Sequence, residues 1–199
     1  DPHKFPQFTP ALREAMVAEP SEFFAGLLRE DRSLLELLDS DYTWVNAELA
    51  RHYGLPGVTG SGFTKVSLPD RRRGGVTGMA AVLTQTSYPQ RTSPVLRGKW
   101  LLEEVFGTPP PPPPPLVATL PPNDEKRDGL TFRQRLEQHR KDPNCGACHA
   151  RLDPLGFALE NFDPIGRWRT EVSGEGVDAR GELPGGEVIV GPEALKKVL

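Results

Sequence analysis

The chain has 199 residues, a formal net charge of −3, 37% hydrophobic residues, 20 glycines and 22 prolines. That length allows one large domain or two small ones with a sizeable core, and so much Gly and Pro requires long stretches of loop or turn. A small charge of mixed sign argues against nucleic acid as a partner, because phosphate binding needs a concentrated basic face. The basic runs at 71–73 and 133–141 are short and interleaved with acids, so they read as solvated faces. No apolar run approaches the roughly 18 residues that would span a membrane.

The first third reads as helical. Thr9-Pro10 is a cap followed by proline at the first helical position, opening a helix with Leu12, Met16 and Val17 on one face. Ser21 caps a second helix carrying Phe23, Phe24, Leu27 and Leu28, and Leu34, Leu35, Leu37 and Leu38 extend its pattern. Thr43 caps a third, with Trp44, Val45 and Leu49 at helical spacing, and Gly54 stops it. Residues 56–69 read as loop with one short strand in the alternation at 63–68.

In the middle third, residues 77–86 place Met79, Val82 and Leu83 at i, i+3 and i+4, one buried helical face. Ser93-Pro94 repeats the cap-plus-proline start, and that helix runs through Leu96, Trp100, Leu101 and Val105 to Gly107. Seven prolines follow at 109–115, a polyproline II rod spanning roughly 20 Å. Its plainer use is a stiff connector between helical units, and its alternative use is as a ligand for an aromatic groove on a partner. Thr131 then caps a helix with Phe132 and Leu136 inward, ending near Pro143. Downstream, 152–157 and 161–166 read as turn-rich apolar segments, 168–190 as a small β-hairpin, and 191–199 as a helix cut off in mid-stride.

The most informative residues are Cys145-Gly146-Ala147-Cys148-His149, which hold the chain's only two cysteines. Two thiols three positions apart can each form a thioether to one vinyl group of a porphyrin, and the adjacent imidazole then lies under the iron. The motif therefore reads as attachment of one covalent haem c, with Cys145 and Cys148 as tethers and His149 as proximal ligand. Three other readings compete: a dithiol redox pair, which expects a βαβ context; half of a zinc site; and a disulfide, which would close a very short loop and add little stability. The remaining histidines are His3, His52 and His139, and they offer no second paired cluster.

The sixth iron position has several candidates. Met79 leads them, on an apolar face between Gly78 and Ala80; His52 follows, and an open position is the third choice. His139, only ten residues before His149, is awkwardly placed to reach the opposite haem face. His/Met ligation favours a higher potential and pure electron transfer, whereas an open position permits peroxide or small-ligand chemistry. A carbonyl or carboxylate is expected to hold the other ring nitrogen of His149. Arg91, Arg97 and Arg151 are candidates to pair with haem propionates.

Haem c is attached outside the bacterial cytoplasm, and the chain opens Asp-Pro-His-Lys with no export signal. The expectation is therefore a piece of a longer, periplasmic or otherwise exported protein.

Several segments together carry a family resemblance: Asp-Tyr-Thr-Trp-Val-Asn at 41–46, Leu-Ala-Arg-His-Tyr-Gly at 49–54, Arg-Thr-Ser-Pro-Val-Leu-Arg-Gly at 91–98, Gly-Thr-Pro-Pro at 107–110, and 145–151 with Asp-Pro-Leu-Gly-Phe at 153–157. Nearly the whole chain resembles the large cytochrome c-like proteins abundant in planctomycetes and related bacteria, built from several domains of unknown function in series. The resemblance implies the end of one domain at 1–70, a haem domain at 71–166, and the start of another at 167–199. It implies a mainly α, cytochrome c-like helical haem domain with long Pro/Gly-rich loops and a small C-terminal β-hairpin. The function expected is single-haem electron transfer to other redox proteins or subunits of a respiratory or photosynthetic-type complex, alongside further domains of the parent chain. The alternatives are a haem peroxidase or oxidoreductase module, and a structural subunit carrying one haem. The site expected is Cys145, Cys148, His149, Met79 and Arg91, with iron on His149 and Met79.

Overall fold

Helix α1 (Pro10–Arg29) starts where the sequence places it, with the Leu12 amide donating to the Thr9 hydroxyl at 3.1 Å. It does not break at Ser21. Pro20 sits inside one continuous 20-residue helix, because Leu12, Ala15, Met16, Phe23 and Leu27 form a single buried face whose packing outweighs the lost backbone bond. This is a computed structural model, and it describes residues 1, 3–112, 123 and 129–199. The apolar pattern does not extend past α1: Leu34–Leu37 form a separate short 3₁₀ turn with Leu34 and Leu35 exposed.

The segment expected as a Thr43-capped helix divides in two. Tyr42–Val45 is strand β1, paired antiparallel with β2 (Thr64–Ser67), so that Tyr42 faces Ser67 and Val45 faces Thr64. A Tyr-Thr-Trp-Val run of aromatic and β-branched residues suits a strand. Helix α2 (Ala47–Tyr53) begins only after Asn46, whose side chain accepts from the Leu49 amide at 3.0 Å. It ends at Gly54 in the left-handed conformation, as the glycine predicts.

Val76–Gly78 make one 3₁₀ turn before α3 (Ala80–Gln85). Helix α4 (Pro94–Trp100), capped by Ser93, continues as a π-helical turn over Leu101–Val105. Residues 109–112 follow outside any helix or strand; the rest of the expected rod, 113–115, lies outside the described residues.

Helix α5 (Phe132–His139) opens with a reciprocal capping box between Thr131 and Gln134. Helix α6 (Pro143–Phe157) holds the Cys-x-x-Cys-His motif and then continues through the segment expected as turns. Pro154 inside it forgoes a backbone bond, and the burial of Leu152, Leu155 and Phe157 keeps the helix intact. Two hairpins replace the single one expected: β3 (Glu171–Val172) with β4 (Glu175–Gly176), and β5 (Arg180–Glu182) with β6 (Val188–Val190). Helix α7 (Gly191–Leu195) closes the chain. The described architecture is thus helices interleaved with three two-stranded antiparallel sheets, a more mixed content than a mainly α domain with one hairpin.

Packing runs across the boundaries expected near 70 and 166. Ala80 shares a core with Leu12, Met16, Val45 and Leu49. Ile189 and Leu195 share another with Leu83, Leu101, Leu155 and Leu159. That second core holds α6 against α4, and Arg97 locks the chain beyond it. The Arg97 side chain is wholly buried and donates to the carbonyls of Leu159 (2.6 Å), Phe162 (2.9 Å) and Asp163 (3.2 Å). No helix among the described residues is long and apolar enough to cross a membrane.

Candidate functional site

Cys145, Cys148 and His149 lie at i, i+3 and i+4 of α6, so the helix sets both thiols and the imidazole on one face. Both cysteines are free thiols, partly buried, and Cys148 packs against the α4–α6 core. Gly146 is needed for a close approach: a Cβ there would stand 2.8 Å from the Arg140 carbonyl oxygen, in the turn joining α5 to α6.

His149 is oriented by one strong contact. Its Nδ1 lies 2.9 Å from Oδ1 of Asp153, one helical turn on, and Asp153 is fully buried. The Nδ1–H donates to the carboxylate, so the tautomer leaves Nε2 bare and able to ligate a metal. Strand β5 packs on α6 beside Asp153, where Gly181 lies against Pro154 so tightly that a Cβ would stand 2.4 Å from the Pro154 carbonyl oxygen. The second oxygen, Oδ2, is buried without a hydrogen-bond partner, and Arg140 Nη1 stands 3.8 Å away as an ion pair. The His139 ring, from the last residue of α5, meets the His149 ring edge-on at a centroid distance of 5.2 Å.

This donor set fits a covalently held haem. It offers two reduced thiols on successive turns of one helix face, an adjacent imidazole with a bare Nε2, and a buried acceptor fixing the other ring nitrogen. Among the described residues, no group of three or more His, Cys, Asp or Glu side chains is arranged to hold a metal ion by itself.

The other expected site residues lie elsewhere. Met79 is 2% exposed and packs against Phe23, Leu27 and Tyr42, in a core cluster that contains none of Cys145, Cys148 and His149. The apolar face that marked Met79 is the one by which it joins this core cluster. Arg91 is buried between the rings of Tyr88 and Phe132, 4.4 Å from each centroid, and donates to the Thr92 carbonyl. Phe132 opens α5 and His139 ends it, so Arg91 sits at the far end of that helix from the motif. Arg97 spends its donors on the carbonyls after α6. Arg151 is exposed and reaches Thr108 at 3.4 Å.

A second group of buried polar side chains lies between α1, α2 and the 73–80 segment. Glu19 accepts from Thr43 (2.7 Å) and Tyr53 (2.5 Å), and Tyr53 in turn accepts from the Ala80 amide. Burial pushes the Glu19 carboxyl up to about 7, against the lowering effect of these bonds and of Arg73. Arg73 stacks 3.7 Å over the Tyr53 ring and donates to the carbonyls of Gly78 and Gly166. His52 donates from Nε2 to the Ile165 carbonyl at 2.7 Å, and burial pulls its pKa down to about 4. Both partner groups are satisfied within the fold, and the network ties α1 and α2 to the loop after α6.

A cleft of about 280 Å³ lies between α5 and the β3–β4 hairpin, with Phe157 and Glu160 beneath it. Its charges are matched internally, Arg133 to Glu137 at 2.9 Å and Arg169 to Glu160 at 3.0 Å, so it presents no convergent set to a ligand. It is also two turns or more along α6 from His149.

Residues 73–172, that is 100 of 199, match the family described as protein of unknown function DUF1588 (PSCyt3), and the chain belongs to that family. Residues 1–55 match a second family, protein of unknown function DUF1592 (PSD4). Both are domains found in planctomycete-type cytochrome c-like proteins. No curated protein and no solved structure matches the chain.

Sequence reasoning missed Asp153 and set His139 aside. Asp153 was legible as an i, i+4 partner of His149 only if the helix ran through Pro154, and that proline argues for a turn.

Proposed function

We propose that the chain carries one haem c and serves one-electron transfer within a larger exported, periplasmic bacterial redox protein. The observation that carries the reading is the α6 face itself, with its two reduced thiols beside an imidazole whose Nδ1 is held by Asp153. Bound there, haem supplies an iron centre that gains and loses a single electron. Cys145 and Cys148 fix the ring to the protein, His149 ligates through Nε2, and Asp153 fixes the plane and tautomer of His149. The partners are other redox proteins, or subunits of a respiratory or photosynthetic-type complex.

A second reading is a haem oxidoreductase or peroxidase module. It is supported by the partners that Met16, Met79 and His52 already have, which are core side chains for the methionines and the Ile165 carbonyl for His52. A sixth position not filled by those residues is open to a small ligand.

Spectroelectrochemistry of the purified protein separates these. Electron transfer predicts a reversible one-electron couple with a low-spin spectrum and no reaction with carbon monoxide when reduced. A high-spin spectrum with rapid carbon monoxide binding favours the oxidoreductase, and no haem spectrum at all contradicts both.

A further inference from the structure

The function proposed for α6 requires only that His149 ligate iron; the surroundings of His149 say more. A metal-ligating histidine donates its other ring N–H to a carboxylate, a backbone carbonyl or a water, and a charged acceptor in a low-dielectric setting acts on it most strongly. Here the acceptor is a carboxylate that is 0% exposed, 2.9 Å from Nδ1. Its other oxygen is buried and makes no hydrogen bond among the described residues. The accepting strength of the carboxylate therefore falls on the His149 N–H. Arg140 is the facing cation, at 3.8 Å and with its side chain 36% exposed. Leu152 and Leu155 complete the apolar setting on the same helix, which lowers the local dielectric and strengthens each of these interactions.

We propose that Asp153 is the positioning residue that sets the redox potential of the site, drawing His149 toward imidazolate character and holding the haem iron in its oxidised state, with Arg140 as the opposing charge. This rests on the haem reading of Cys145, Cys148 and His149. A more basic imidazole donates more charge to iron and favours the ferric over the ferrous form. A buried carboxylate one hydrogen bond away adds an electrostatic contribution of the same sign, since reduction places one more negative charge in the same low-dielectric region. Arg140 offsets part of that contribution. The Asp153–His149 pair therefore lowers the potential relative to the same haem and ligands without the buried carboxylate.

The test compares wild type with Asp153→Asn and Arg140→Gln, each exported and matured in cells competent to attach haem c. Mass spectrometry comes first: a wild-type polypeptide without covalent haem contradicts the haem reading, and this inference with it. With haem attached, the potential is measured against an electrode, and where the reduced iron is five-coordinate its iron–histidine stretch is read by resonance Raman. Asp153→Asn keeps the side-chain shape but weakens the hydrogen bond. It is expected to shift the oxidised-to-reduced ratio at a fixed potential at least tenfold toward reduced iron, a rise of 59 mV or more for one electron. The iron–histidine frequency should fall with it. Arg140→Gln is expected to move the potential the opposite way by a smaller amount. Arg140 is half-exposed, so this variant decides the matter if Asp153→Asn does not fold. Oxidised-to-reduced ratios within twofold of wild type at the same potential, in the variants that carry haem, overturn the proposal and leave Asp153 a structural residue.

Discussion

Gly98 of α4 and Leu152 of α6 meet so closely that a Cβ on Gly98 would stand 1.9 Å from the Leu152 carbonyl oxygen. The contact is reciprocated one turn along, where a Cβ on Gly156 of α6 would stand 1.8 Å from the Pro94 carbonyl oxygen. The two helices therefore cross backbone to backbone at this point, and the close crossing adds to the side-chain core that holds α6 against α4. This fixes the far end of α6 while its first turns remain partly exposed, where a ring could be attached.

The crossing gives a direct prediction. Gly98→Ala or Gly156→Ala forces the helices apart, since the atom in the way is a backbone carbonyl that cannot rotate aside. Each should cost about 1–3 kcal/mol or more despite the better helix propensity of alanine. Gly185→Ala, with open space around it, is the control and should be nearly neutral. Urea unfolding monitored by circular dichroism measures all three; equal midpoints would contradict the crossing.

Arg97 should be as intolerant. Arg97→Met removes the guanidinium from the interior carbonyls of Leu159, Phe162 and Asp163 and from Glu160, and only Leu159 and Asp163 keep a backbone donor, from Phe162 and Gly166. The expected loss is about 3–5 kcal/mol. Arg97→Lys should recover only part of it, because one ammonium cannot reproduce the spread of a guanidinium fork. Full recovery by lysine would mean that charge, not geometry, is what the site needs.

Glu19 and His52 make opposite contributions to the pH dependence of stability. Glu19 rises from 4.5 to about 7 on folding, so the folded chain holds a proton that the unfolded chain has released. Its contribution is complete below pH 4.5 and declines as pH rises to 7. His52 falls from 6.5 to about 4, so its contribution is complete above pH 6.5 and is lost as pH falls toward 4. Within roughly pH 4.5–6.5 the two slopes oppose one another. Glu19→Gln should therefore leave stability rising with pH across that window, and His52→Gln should leave it falling. Unfolding curves for both variants that parallel wild type at every pH would contradict the assignment.

The start of α1, the stop at Gly54, the strand within 63–68 and the Ser93 and Thr131 caps were all legible, because each depends on a few neighbouring residues. What escaped depends on distant ones. Pro20 and Pro154 look like breaks, yet packing carries α1 and α6 through them. Thr43 has the chemistry of a cap, yet its hydroxyl serves Glu19, 24 residues away. Arg91 and Arg97 have the chemistry to pair with propionates, yet both are buried among rings and carbonyls of the fold. Met79 satisfies the pattern of an axial ligand and of a core residue equally well, and only its neighbours Phe23, Leu27 and Tyr42 distinguish them.

That placement of Met79 has its own consequence. Met79→Leu conserves volume and should cost less than about 1.5 kcal/mol, whereas Met79→Ala should cost about 2–5 kcal/mol. Neither should alter the optical spectrum or the potential of the haem. A haem that loses a ligand or shifts its potential in Met79→Leu would return the methionine to the iron.

The central claim is that Cys145 and Cys148 tether a haem, and the intact mass of the exported protein tests it most directly. The account predicts a polypeptide heavier by one haem that survives acid and organic extraction. Replacing either cysteine by alanine should abolish the two-thioether adduct. An unmodified wild-type mass from cells that mature other c-type haem proteins, or one zinc ion in place of haem, would contradict it.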